Sequence, residues 1–382
     1  MLCYTFNVRS VAIRAQLWSL NQIIEGLSSY SVARQGWLCP AWLALKMRRM
    51  TNADLQNLID DKTKPVGSLG RLEKLAVQAA SILGHQQTGE IGATLTIFAG
   101  DHGIAANGVS AFPQEVTGQM VANFLAGGAA ANVIAATLNI PVTVVDCGIA
   151  AVPVSDPALV DMRLGAGTAD SAAGPAMTVE TAQRAIEQGR RFGSALLGSI
   201  ACFGEMGIAN TSAATLVVHK LSGLEIAQLV GRGTGLDDTA LSHKRKVLER
   251  AGARTGELAP MKVLAEVGGF EIGTMAGAMI GASQTGKLIV VDGFIATSAA
   301  ALARAIEPAS ADAFVYAHRS AEQGHRTLLE WLGADPLLDF DMRLGEGTGA
   351  LLAVPMIRAA LSLFAMASFS QAGVSGTEGA AP

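Results

Sequence analysis

Two hydrophobic patterns alternate along this chain. One is the short continuous apolar run, seen at residues 93–99, 142–146, 199–204, 287–292 and 313–316. Runs of this length and composition read as strands buried on both faces, the pattern of a parallel sheet. The other is the helical stripe. Leu55, Leu58 and Ile59 form one, and Leu72, Leu75, Ala76, Ala79, Ile82 and Leu83 form a second, with Pro65 and Gly67 marking the break between them. Further helices are predicted over 114–125, 129–138, 178–197, 236–251, 272–283 and 321–332, from 213 and from 297, and over a last long apolar stretch to about Phe369. Strand followed by helix, repeated, implies parallel β-α-β units. In the 272–283 helix, Gly273, Gly277 and Gly281 recur every four residues, so one face admits very close packing.

Composition adds bounds. The chain has 382 residues, 50% of them hydrophobic, with 43 glycines. That is enough for one large domain and a smaller one. A net charge of −4 gives no electrostatic case for nucleic acid or an anionic membrane. The four cysteines (Cys3, Cys39, Cys147, Cys202) are far apart and form neither a disulfide framework nor a zinc pattern, which fits a reduced cytoplasmic protein. The uncharged run 123–145 is broken by Gly127-Gly128, Asn132, Asn139 and Pro141, so it reads as two buried elements and a turn rather than a membrane span. Residues 1–50 differ from the rest: three of the four tryptophans lie there, and six Lys or Arg stand against the single acid Glu25. A transit peptide is one reading; a start truly at Met47 or Met50 is the favoured one, and either way the leader is expected to be poorly ordered and without chemistry. The organisation expected is leader 1–50, helical segment 51–90, α/β domain 91–333, catalytic loop and final helix 334–370, and a disordered tail 371–382.

Candidate chemistry gathers in turns. Asp341-Met342-Arg343-Leu344-Gly345-Glu346-Gly347-Thr348-Gly349 sets one carboxylate in a glycine-rich turn before an apolar helix. Its three glycines permit positive φ, and Thr348 is placed to cap the helix. Residues 161–168 repeat the phrase with Ala166 in place of the glutamate, so the frame tolerates alanine and Glu346 reads as a candidate general base. A solvated turn glutamate is the plainer alternative. Asp101-His102, Asp146, Glu205, Asp292 and Ser320 stand at strand ends, which share one edge of a parallel sheet. The turn from Glu205 to Ser212 reads either as a phosphate cradle or as an ordinary capped turn. The segment 64–70 reads first as a helix connector and second as an anion site. Gly231-Arg232-Gly233-Thr234-Gly235 is a weak phosphate signal, and among His243, Lys244, Arg245 and Lys246 one inward lysine would neutralise an anion. No G-x-S-x-G elbow or H-E-x-x-H motif is present.

Taken in order, Lys64–Gly70, Ala99–Gly103, Gly204–Thr211, Val267–Gly269, Asp292–Phe294, Ser320–Glu322 and Arg343–Gly349 make the chain resemble the nicotinate-nucleotide–dimethylbenzimidazole phosphoribosyltransferase family over roughly 51–367. The resemblance implies a six-stranded parallel Rossmann-like α/β domain with a small helical domain built from segments near both ends, usually as a homodimer. It implies transfer of phosphoribose from nicotinate mononucleotide to a benzimidazole-type base, with inversion at C1′ and with neither metal nor redox cofactor. It maps the base onto Glu346. Substrate contacts fall to Glu205, Gly207, Asn210, Thr211, Gly231, Lys244, Asp292 and Ser320, with the aromatic acceptor between the Asp101–Met120 segment, including His102, and Leu344–Glu346. A dinucleotide-dependent oxidoreductase and a non-catalytic nucleotide-binding protein are the alternatives. The missing G-x-G-x-x-G counts against the first and the retained Glu346 against the second.

Overall fold

In the computed structural model, six parallel strands run in the order β3-β2-β1-β4-β5-β6. The structure describes residues 50–86, 91–150, 156–233 and 235–375; the leader and the end of the tail lie outside them. The strands are β1 (Ala93–Gly100), β2 (Val142–Gly148), β3 (Leu159–Asp161), β4 (Ile200–Met206), β5 (Leu288–Val291) and β6 (Phe314–Tyr316). All but β3 follow the apolar runs. The short β3 pairs at the edge through Val144–Leu159 to Asp146–Asp161 and carries too few apolar residues to announce itself. The order reverses direction between β1 and β4, which is where a doubly wound sheet opens a crevice at its carboxyl edge.

Side chains alternate across each strand. Leu95 and Ile97 of β1 point into one core and Phe98 into the other. The first core is closed by helices α1 (Asn52–Asp60), α2 (Arg71–Leu83), α3 (Glu115–Leu125), α4 (Ala130–Thr137) and the late helix Thr348–Ser362. On the opposite face lie α5 (Val179–Ala195), α6 (Asn210–Ser222), α7 (Ile226–Leu229), α8 (Asp238–Ala253), α9 (Pro260–Val267), α10 (Phe270–Gln284) and α11 (Phe294–Ile306), joined by α12 (Gln323–Leu332). The chain ends in α13 (Thr348–Ser362) and α14 (Phe369–Ala372).

Close packing of small residues is realised between α5 and α10. A methyl on Gly277 would overlap the Ile186 carbonyl, and one on Gly281 the Arg190 carbonyl. Gly189 and Gly193 meet the Thr274 and Ala278 carbonyls in the same way. Two smooth helices thus approach backbone to backbone.

Segments near both ends do meet: Thr63 N donates to Ala367 O at 3.1 Å and Lys62 Nζ to Met366 O at 2.9 Å. From Met50 onward the chain clusters as one unit. The 64–70 turn is a connector, its Lys64 buried against Glu73 at 2.9 Å. The last apolar helix stops at Ser362, and the predicted tail begins inside α14, which Ser368 caps. Glu115–Thr137 and Thr348–Ala365 are apolar enough to span a bilayer by length and composition. The first is two helices broken at Gly127-Gly128, and the second buries one face against the sheet and α2.

Candidate active site

Loops following β1, β4, β5 and β6 converge with the turn before α13 on one cavity of about 510 Å³. That volume suits a small-molecule ligand. The wall after β1 is apolar, formed by Val109, Phe112, Val116 and Met120, and Met206 and Ile295 continue it.

The turn after β4 makes the polar end. Ala209 sits at φ +71°, a left-handed conformation unusual for a residue with a side chain, and it turns the chain directly into α6. Asn210 and Thr211 open that helix and line the cavity; the N–H groups of Asn210, Ser212 and Ala213 donate to Gly207 O and Ala209 O. Thr211 Oγ1 accepts from Lys244 Nζ at 2.9 Å, and the Gly231 carbonyl accepts from the same amine at 3.2 Å. Lys244 is therefore the inward lysine of α8, 1% exposed. Burial pulls its pKa down to about 8, against the opposing pull of Glu322. An amine beside a helix N-terminus, both at a cavity wall, is an arrangement suited to an anion.

Glu205 lies on the same wall, with Asn210 Nδ2 donating to its carboxyl. Burial, then the charges of Asp292 and Glu271, push its pKa up to about 8, favouring the protonated carboxyl.

Glu346 closes the other end. Gly345, Glu346 and Gly347 lie in succession at φ +81°, +61° and +82°. The catalytic candidate itself, not only its glycines, is in the left-handed region; Gly349 is not, and is needed for close approach to His318. The twin turn is not the same frame, since there Gly167 is left-handed and Ala166 is not. Thr348 does not cap α13. It is the first helical residue, and its hydroxyl donates to Gly345 O at 2.8 Å. Glu346 is 6% exposed, lines the cavity, and its Oε2 has no hydrogen-bond partner. Burial raises its pKa, the Ala131 N–H lowers it, and Asp292 raises it.

Of the residues read from sequence, Glu205, Gly207, Asn210, Thr211, Lys244, Ser320, Leu344 and Glu346 line this cavity. Gly231 stands behind, contributing its carbonyl to Lys244. Asp101 and His102 do not reach it. Asp101 accepts from the Thr117 hydroxyl at 2.6 Å, and that hydroxyl accepts from Ile208 N at 3.0 Å, so this acid braces the turn after β4 from beneath. His102 is buried against Glu271 at 2.8 Å; burial lowers its pKa, but the carboxylate outweighs it and the net shift is upward. Asp146 is likewise withdrawn, paired with Arg163 at 2.7 Å. Asp292 is buried beneath the Glu346 turn rather than lining the cavity. Ile295 was not singled out from the sequence, although it follows β5 by a few residues, which is the signal that would have found it; Met206, within the Glu205–Thr211 turn, and His318, a lone histidine with no metal-ligand pattern around it, also line the cavity.

A family profile described as phosphoribosyltransferase matches residues 46–374. The nicotinate-nucleotide–dimethylbenzimidazole phosphoribosyltransferase of Variovorax paradoxus is 49% identical over 325 residues, covering 85% of this chain and 93% of that protein. Its namesake from Cupriavidus necator is 51% identical over 327 residues, covering 84% and 94%. The crystal structure of CobT from Thermus thermophilus superposes with a TM-score of 0.81 at 43% identity, over 85% of this chain and 98% of that one. The chain belongs to the nicotinate-nucleotide–dimethylbenzimidazole phosphoribosyltransferase family.

Proposed function

We propose that this protein moves the 5-phosphoribosyl group of nicotinate mononucleotide to 5,6-dimethylbenzimidazole, releasing nicotinate and forming α-ribazole 5′-phosphate. The observation that carries the reading is the pairing, in one cavity, of an unpartnered buried carboxyl oxygen on Glu346 with the Lys244–Thr211 anion site. The phosphate binds at Lys244 and the α6 N-terminus. The aromatic acceptor lies along Phe112, Val116 and Met120, within reach of Glu346. One ring nitrogen of the acceptor forms a bond to C1′ as the C1′–N bond to nicotinate breaks. The bonding pair passes to the pyridine nitrogen, which loses its positive charge. The N–H at the acceptor's other nitrogen becomes acidic, and Glu346 takes that proton. Attack from the face opposite the departing ring inverts C1′. Because nicotinate is already a good leaving group, most of the catalysis is positioning.

The protein acts in cobalamin nucleotide-loop assembly, in the cytoplasm, as a homodimer. The exposed side of α3 and α4, with Ala122, Ala126, Ala130 and Val133 outward and no charge between Val116 and Val145, supports self-association. The test is incubation with nicotinate mononucleotide and dimethylbenzimidazole, with chromatography of the products. Release of nicotinate in equal amount to a ribazole phosphate supports the assignment; no release with this base, with a purine or with a phenolic acceptor removes it.

A further inference from the structure

A helix that starts on glycine has no side chain of its own to accept its first N–H groups. Helix α13 starts this way, with Gly347 at its N-cap and no side-chain cap. Directly before it stands Glu346 in the left-handed region, which residues with a side chain rarely adopt. Thr348 N donates to Gly345 O within the turn at 3.1 Å, but the remaining donors and the conformation call for a partner from outside it.

Asp292 is that partner. It is the first residue past β5 and is 2% exposed. Its Oδ2 accepts from Gly347 N at 3.2 Å and its Oδ1 from Ala350 N at 2.9 Å. The fit is close: a methyl on Gly349 would come within 2.8 Å of Asp292 Oδ1. His318, after β6, stands on the other side with Nε2 at 3.6 Å from Oδ1.

We propose that Asp292 is a positioning residue for the reaction: its carboxylate replaces the missing cap of α13 from a neighbouring strand end and clamps the left-handed turn that presents Glu346. From the sequence, Asp292 is expected to be a substrate contact; the hydrogen bonds assign it to the enzyme's own backbone instead. The clamp also places a negative charge beside the base, and that charge favours the protonated form of Glu346. The other ionisable groups around the cavity are Glu205 from β4, Arg232 before α8, Lys244 from α8, His318 after β6, Glu322 at the start of α12 and Arg343 from the turn itself. The inference rests on Glu346 being the base.

The test compares wild type with Asp292→Asn, which keeps the size and one acceptor but removes the charge and the second acceptor. Displacement of the base lowers kcat by about tenfold or more, while KM for nicotinate mononucleotide stays within about threefold. The acid limb of the kcat–pH profile moves to lower pH, because a neighbouring negative charge is gone. A large rise in KM with kcat and the acid limb unchanged overturns the proposal and returns Asp292 to substrate binding. Two measurements do not depend on turnover. Hydrogen exchange on the wild-type protein is expected to show protected Gly347 and Ala350 amides; exchange at free-loop rates overturns the clamp even if the variant does not fold. Titration of the Glu346 carboxyl by carbon-13 NMR is expected to show a lower pKa in Asp292→Asn. An inactive wild-type protein would remove the proposed reaction, yet these two readouts would still decide the clamp.

Discussion

The backbone of Glu346 lies directly on Gly204. A methyl at Gly204 would overlap the Glu346 carbonyl carbon and the Gly347 nitrogen. The fifth residue of β4 is therefore the seat on which the candidate base rests, and the seat must be flat. Gly204→Ala is expected to fold with a lowered melting temperature and to lose about 100-fold in kcat, as misplacing a reactive group by about 1 Å does. Calorimetry and steady-state kinetics check this; an alanine variant with unaltered kcat would show that the turn can shift at no cost.

Glu346→Gln keeps the size of the side chain and removes its basicity. It is expected to fold as the wild type does and to lose turnover by about 10²-fold or more, the scale of general-base catalysis. Nucleotide affinity, which resides at the Lys244 end, is expected to be nearly unchanged. Isothermal titration with nicotinate mononucleotide separates the two effects.

The proposed reaction requires Glu346 ionised and Lys244 protonated. Burial first, and Asp292 second among the raising influences, moves Glu346 upward, while burial brings Lys244 down to about 8. The profile of kcat/KM against pH is expected to be bell-shaped, its basic limb falling through about pH 8 as Lys244 loses its proton. Lys244→Arg, whose guanidinium stays charged, is expected to retain activity above that pH, and Lys244→Met to raise KM at every pH. A basic limb identical in the arginine variant assigns it to Glu205 instead.

Glu205 bears on stability. A carboxyl whose folded pKa is raised binds its proton more tightly in the folded state than in the unfolded one. Its contribution is full below the unfolded value of 4.5 and is lost as pH rises through about 8. Glu205→Gln removes that dependence and can still accept from Asn210. Relative to wild type, its melting temperature is expected to gain steadily between pH 5 and pH 9. A constant difference across that range would show that Glu205 is not protonated in the folded protein.

On an exposed helix, alanine in place of glycine stabilises by about 1 kcal/mol. Gly277→Ala is expected to reverse that sign, because the methyl meets the Ile186 carbonyl of α5. Chemical denaturation is expected to show a lower midpoint, and an increase would mean that the two helices separate freely.

Periodicity along the chain was enough to lay out the layers. Apolar runs and helical stripes alternate, so five of the six strands and the direction of the sheet were legible, and with the direction came the edge at which ligands bind. Local chemistry also singled out Glu346 and Glu205, since a charged residue in a glycine turn stands out against its neighbours; of the lysines on the solvated helix, only the family resemblance pointed to Lys244. β3 escaped because an edge strand of three residues buries too little to leave a pattern.

What each strand-end acid does was settled by packing. Asp101, Asp146, Glu205 and Asp292 look alike along the chain, each at or near the end of an apolar run. Three turn inward, to the Thr117 hydroxyl, to Arg163 and to the N–H groups of Gly347 and Ala350, and Glu205 alone lines the cavity. The same holds for the turn around Glu346, whose backbone differs from that of its near-copy at 161–168 because one rests on Gly204 and is held by Asp292. The reason is physical. Hydrophobic periodicity is a local property of the chain, whereas the partner of a buried carboxylate is supplied by residues brought close only when distant elements pack.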